Sequence, residues 1–163
     1  MTARPGAVPA RLTPAQVRIL GKIASGIGTA ETARALSIAQ GTVSVQVSSM
    51  SRRLGVSGRA ALTHVGYCNG QLDRPEPAEF DGTFSEAEAC IVRLVSCGAS
   101  LQEIAHACQL SRDAARERLR ALRLRMGASH DAHLVTLGWR YGLLDESHTG
   151  KPTHPFSGTG VHR

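Results

Sequence analysis

Aromatic residues are scarce: three Phe, two Tyr and one Trp in 163 residues. A core built on large rings is therefore excluded. Ala, Leu, Val and Ile must supply the packing, which suits short helices meeting through small residues. Lysine is nearly missing, with only Lys22 and Lys151, so almost all positive charge is arginine. Acid is scarce at the front, where Glu31 is the single carboxylate before Asp73. There is no signal peptide and no apolar run of membrane length. Cys68, Cys90, Cys97 and Cys108 form no short C-x-x-C pair, which argues against a structural zinc site. No Ser-His-Asp, Cys-His or paired-carboxylate arrangement stands out, and no glycine-rich phosphate loop. An enzyme is the least expected class. A reduced, cytosolic protein without membrane partner, metal or cofactor is the simplest reading. Cys90, Cys97 and Cys108, with His106 nearby, read as small thiols beside a core.

What is present is an internal echo. Ile23 to Val56 reads IASGIGTAETARALSIAQGTVSVQVSSMSRRLGV, and Val95 to Ala128 repeats its pattern 72 positions later without a gap. Gly26 falls on Gly98, Glu31 on Glu103, Ala33 on Ala105, Ile38 on Leu110 and Gly55 on Gly127. Two copies at so long a period predict two small helical domains in tandem. Each is roughly 60 residues, near the lower limit for folding alone, so each gains from packing on its twin.

The expected organisation is a flexible arm over 1–11, a first domain over 12–72, a linker over 73–83, a second domain over 84–144 and a flexible tail over 145–163. Residues 1–72 carry eight bases against one acid; 73–83 carry one base against four acids; 84–144 carry eight bases against six acids. A basic, arginine-clustered domain points to a polyanionic partner. Pro75 and Pro77 exclude a continuous helix through the linker, which could span at most ~35 Å.

Local signals place four helices in each copy. Thr13-Pro14-Ala15-Gln16 and Ser85 with Glu88 are helix starts with capping-box spacing. Gly26 and Gly98 stop those helices. Second helices run from about Thr29 to Leu36 and from Leu101 to Cys108. Ser100 with Glu103 forms another box, whereas Gly28 is a weak cap. Third helices start near Gln40 and Arg112; Ser111 caps the latter well and Ala39 caps the former poorly. Val43, Val47, Met50 and Leu54 form one apolar stripe, matched by Ala115, Leu119, Leu122 and Met126. The opposite face carries Val45, Ser48 and Arg52, flanked by Ser44 and Ser49. In the second copy it carries Asp113, Glu117 and Arg120, flanked by Arg112, Arg116 and Arg123. Fourth helices are expected from about Gly58 to Asn69 and from His130 to Tyr141.

Leu12-Thr13, Ile23-Ala24-Ser25-Gly26, Glu31-Thr32-Ala33, Leu36-Ser37-Ile38, Thr42-Val43-Ser44-Val45-Gln46-Val47 and Arg53-Leu54-Gly55-Val56 together resemble the DNA-binding domain of the LuxR family of bacterial regulators. Phe84-Ser85, Gly98, Glu103-Ile104-Ala105, Leu110 and Arg125-Met126-Gly127 resemble it more loosely. The resemblance implies an all-α fold with a helix-turn-helix in each copy, and pairing through the last helix. The apolar residues Ala61, Leu62 and Val65, with Leu134, Leu137 and Gly138, are expected to form that pairing inside one chain. The sequence departs from the family where a recognition-helix Lys and His are usual: Ser44 and Gln46 stand there, with Ser48 at a third position that is commonly basic. Arg116, Arg118 and Arg120 stand at the matching places of the second copy.

The expected function is a sequence-specific transcription regulator that binds double-stranded DNA, acting as an intramolecular pseudo-dimer on an asymmetric site. Expected DNA contacts in the first copy are Gln40, then Ser44, Val45, Gln46 and Ser48 on bases or the nearby backbone, with Thr42, Arg52, Arg53 and Arg59 on phosphates. In the second copy they are Arg112, Arg116, Arg118 and Arg120. The competing arrangement is a homodimer. The alternative function is an adaptor or anti-activator that binds RNA polymerase or another regulator.

Overall fold

A computed structural model describes residues 10–149. The described residues are all helical apart from turns and connections. The helices are α1 (Pro14–Ala24), α2 (Thr29–Leu36), α3 (Gln40–Leu54), α4 (Arg59–Cys68), α5 (Glu86–Ser96), α6 (Leu101–Ala107), α7 (Arg112–Met126) and α8 (Asp131–Arg140).

Local chemistry explains where most of them begin and end. Thr13 Oγ1 accepts from the Gln16 amide, and the Gln16 side chain accepts from the Thr13 amide, closing a capping box on α1. Ser85 with Glu88 and Ser100 with Glu103 close the same box on α5 and α6. Ser111 caps α7, whereas Gly28 and Ala39 offer α2 and α3 no side-chain cap. Gly55 and Gly127 end α3 and α7 in the left-handed region, at φ +66° and +75°, where a side chain is strained. Ser37 and Gln109, each at φ +55°, make the turns before α3 and α7, and they too stand 72 positions apart. A left-handed non-glycine residue costs roughly 1–2 kcal/mol, so tertiary packing must hold each turn.

Two apolar clusters supply that packing. Leu20, Ile23, Val43, Met50 and Leu62 are fully buried in the first. Ile91, Val92, Ile104, Leu122, Leu134 and Val135 are fully buried in the second. Each such side chain contributes on the order of 1.5–3 kcal/mol by leaving water. The stripe on α7 is buried throughout; on α3, Val43 and Met50 are buried while Val47 and Leu54 stay half-covered.

The clusters touch where α4 packs along α8. Ala60 of α4 packs on the second cluster, and Ala132 of α8, its 72-residue counterpart, lies in the first. Tyr67 and Thr136 share a 2.8 Å hydrogen bond between hydroxyls. Trp139, the counterpart of Tyr67, donates from Nε1 to Nδ1 of His64, the counterpart of Thr136, at 3.0 Å. Ser129 Oγ donates to the Gly26 carbonyl at 2.7 Å. A Cβ on Gly98 would meet the carbonyl oxygen of Ser57, the counterpart of Ser129, at 2.7 Å. These contacts are reciprocal in the 72-residue register, as in an isologous interface.

Several expectations need correction. Gly138 does not face α4: a Cβ there would strike Val92 and Leu144 within the second cluster. Leu62 and Leu134 belong to the interiors of the first and second clusters. The seam is made instead by small residues and by His64, Tyr67, Thr136 and Trp139. Residues 73–83, expected as a linker, run as non-helical chain against the second half. The Ala78 amide donates to the Arg140 carbonyl at 2.9 Å, Arg74 lies over the Trp139 ring, and Phe80 stacks on Phe84 and meets the edge of Tyr141. Asp145 to His148, expected to be flexible, folds back so that His64 Nε2 reaches the His148 carbonyl at 2.6 Å. Ala10 and Arg11, placed in the expected arm, are held by Gln71 and Arg53 through their carbonyls. The rest of the arm, 1–9, and the tail from 150 onward lie outside the described residues.

Candidate nucleic-acid interface

The helix-turn-helix of the first half consists of α2, the Ser37 turn and α3. On α3, Gln40, Thr42, Ser44, Val45, Ser48, Arg52 and Arg53 are exposed, so seven of the expected contact residues share an open helix surface. Val45 is 63% exposed, one of two large apolar side chains so placed among the described residues. Arg53 donates from Nη1 to the Arg11 carbonyl at 3.0 Å, which aims its guanidinium at the start of the chain. Gln46 is set apart: it is half-buried, and its Oε1 accepts from Nε2 of the buried Gln16 at 3.0 Å. Arg59 is half-buried and lines a cleft of about 560 Å³ where α2, α4 and α8 begin, together with Gly28, Thr29, His130 and Asp131.

The second half offers α7 in the same way. Arg112, Arg116, Arg118 and Arg120 are all exposed. The acids expected on this face are paired along the helix, Asp113 with Arg116 at 2.7 Å and Glu117 with Arg120 at 3.3 Å. Exposed pairs of this kind are worth about 0.3–0.5 kcal/mol, so they orient side chains without locking them. Leu124, 73% exposed, stands where α3 has Arg52, which removes one cation from the α7 face.

Two further arginines serve the fold. Arg123 pairs with Asp131 at 2.8 Å, tying α7 to α8. Arg125 pairs with Glu88 at 2.6 Å, donates to the Thr83 carbonyl and lies over the Phe80 and Phe84 rings. Burial pushes the Glu88 carboxyl up, but hydrogen bonds from Arg125 and the Ser85 amide outweigh it and hold the group below its ordinary value.

Sequence reasoning missed His64. It is buried at 2% exposure, and burial lowers its pKa despite the hydrogen bond to His148. Because Nδ1 accepts from Trp139, the proton sits on Nε2 and is given to the His148 carbonyl. A histidine in the middle of α4 and a tryptophan near the end of α8, 75 positions apart, carry no local sign of this contact. The four cysteines are half-buried. Among the described residues no group of three or more His, Cys, Asp or Glu is arranged to hold a metal ion. No helix there is long and apolar enough to cross a membrane.

No curated protein and no solved structure matches the chain. Residues 10–65, which span α1 to α3 and most of α4, match the family model described as GerE, bacterial regulatory proteins, luxR family. Residues 10–65, about a third of the chain, are thus similar to a helix-turn-helix of the bacterial regulatory type.

Proposed function

We propose that the chain is a sequence-specific transcription regulator whose two halves are duplicated helix-turn-helix domains, bound to each other as a pseudo-dimer within one molecule. The observation that carries this reading is the reciprocity at the seam. Tyr67 reaches Thr136, and Trp139 reaches His64, in the same 72-residue register that relates the helices. A surface that pairs with its own duplicate has little left to offer a second chain. Meanwhile α3 and α7 keep their outer faces open.

Each exposed helix is of a size to enter a major groove. In this proposal Gln40, Ser44, Val45 and Ser48 lie near base edges, and Thr42, Arg52, Arg53 and Arg59 hold phosphates. Gln46 has its Oε1 engaged with Gln16 and acts by bracing α3 on α1. Arg112, Arg116, Arg118 and Arg120 serve the second half-site. Because the two helices differ in sequence, the preferred site lacks twofold symmetry.

Sedimentation of the free protein and of its complex with a selected duplex tests this directly. One chain per site is required; two chains per site make the molecule a homodimer with four helix-turn-helix units. Binding must also weaken steeply with salt, as phosphate contacts demand.

A second reading is favoured by the ion pairs on α7. Asp113 and Glu117 offset two of its arginines, and Leu124 adds an apolar spot. A face of that composition suits a protein partner, with α7 docking RNA polymerase or another regulator while α3 binds DNA. Retention of full DNA affinity after Arg116 and Arg120 are both replaced by Ala favours this reading over the first.

A further inference from the structure

We propose that Val45 and Glu117 are the side chains that make the two half-sites different, Val45 by packing on a thymine methyl group and Glu117 by accepting from the exocyclic amino group of a cytosine. This rests on the DNA-binding reading above and adds base identity to it.

The two residues hold the same place. Both are the sixth residue of a 15-residue helix that ends in a left-handed glycine, and they stand 72 positions apart. Both are exposed and sit on the side away from the core stripe. Whatever base edge one helix presents its sixth residue to, the other meets at the equivalent step of its own half-site.

Their chemistry then selects the base. Val45 has no hydrogen-bonding group, and its exposed neighbours Ser44 and Ser48 carry no charge. On the floor of the major groove the apolar partner is the thymine methyl group. Glu117 is a pure acceptor when ionised. It is repelled by phosphates, so any favourable contact must come from a base donor. The groove offers two, the amino groups of adenine and cytosine. Adenine sets its N7 acceptor beside the amino group, which repels a carboxylate. Cytosine presents the amino group without that neighbour, so it is the better match.

Arg120 makes this workable. It engages Glu117 Oε2 at 3.3 Å, which offsets the repulsion from the backbone and leaves Oε1 free for a base. Both side chains are more than half exposed, so the pair can adjust to the groove.

The experiment is selection of bound duplexes from a random pool, run with the full chain and with Val45→Ser, Glu117→Val and Glu117→Gln. All four proteins must melt alike, since both positions are exposed. The wild-type protein is expected to select a thymine in one half-site and a cytosine at a fixed distance in the other. Glu117→Val converts the cytosine preference to thymine, and Glu117→Gln shifts it toward adenine. Replacing the selected thymine by uracil removes only the methyl group. It lowers wild-type affinity roughly fourfold, and leaves Val45→Ser unaffected. A cytosine preference that survives Glu117→Val, or wild-type indifference to uracil, overturns the assignment while leaving DNA binding intact. Failure to retain any duplex at low salt overturns the DNA-binding reading and this inference with it.

Discussion

Trp139 Nε1 donates to His64 Nδ1 at 3.0 Å, and this one bond joins α8 to α4 through the middle of the seam. The bond leaves His64 a single neutral tautomer, with its other nitrogen given to the His148 carbonyl. His64 therefore ties α4 both to α8 and to the segment just after it, partners 75 and 84 positions along the chain. Its neutrality is a condition for both.

A pH dependence follows from that. Burial holds the folded-state pKa of His64 below its ordinary 6.5, and burial followed by the charge of His130 does the same to His133. The unfolded chain takes up these protons first as pH falls, so stability is intact above about pH 6.5 and declines below it. Thermal melts between pH 7.5 and pH 5.5 should show a falling Tm, with binding to DNA unaffected at the upper end. His64→Gln keeps an acceptor and a donor without titrating there, and should flatten the slope. An unchanged slope would remove His64 as its cause.

Trp139→Phe and Tyr67→Phe break the two counterpart bonds, but not at equal cost. The tryptophan substitution leaves Nδ1 of a buried histidine without a donor, a loss of about 1–3 kcal/mol. The tyrosine substitution leaves Thr136, whose hydroxyl also lies 3.5 Å from the Ala132 carbonyl and is half-exposed. Its cost should be nearer 0.5–1.5 kcal/mol. Urea titrations of the two variants measure the difference, and a larger loss for Tyr67→Phe would reverse this account of the seam.

Three glycines separate backbone strain from docking. Gly55, at φ +66° with nothing near its Cβ position, should lose roughly 1 kcal/mol on change to Ala. Gly98, at φ +76°, sets its Cβ position 2.7 Å from the Ser57 carbonyl oxygen, a backbone atom that cannot swing aside. Gly98→Ala should therefore cost clearly more, of order 2–4 kcal/mol. Gly26→Ala meets side chains, His133 and Ser129, and should fall between the two. Denaturant midpoints in that order are the expected outcome.

Arginines should divide by role. Arg125→Ala removes an ion pair, a hydrogen bond to Thr83 and two ring contacts, and should destabilise the fold by about 1–3 kcal/mol. DNA affinity of the folded fraction should not change. Arg116→Ala should do the opposite: stability within about 0.5 kcal/mol of the parent, and a loss of about 1–3 kcal/mol on the selected duplex if the guanidinium reads a base. Calorimetry and competitive binding on the same preparations check both halves of the statement.

Much of this was open to reading in one dimension because its causes are local. Thr13 and Gln16, Ser85 and Glu88, and Ser100 and Glu103 are three residues apart, so each capping box needs only its own turn of helix. Gly55 and Gly127 end their helices for reasons of backbone sterics alone. The stripe Ala115, Leu119, Leu122, Met126 follows from the helical period, and so does the exposure of the residues opposite it.

The seam was not open in that way. Leu62, Leu134 and Gly138 have the spacing of a pairing surface, yet each also fits its own cluster, and periodicity cannot choose between two apolar neighbours. Gln46 lies near the outer face by count but turns back because the buried Gln16 needs a partner for its amide. Residues 73–83 and 145–148 carry turn-forming composition, and the Trp139 ring, the Arg140 carbonyl, Phe84 and Tyr141 for the first, with the His64 imidazole for the second, give them something to hold. Helix type, ends and faces are set by interactions within a few residues, which the amino-acid order alone specifies. Which helix meets which, and which polar atoms are satisfied across the join, depended on contacts between positions some 70 residues apart, where burial of polar groups in three dimensions made the choice.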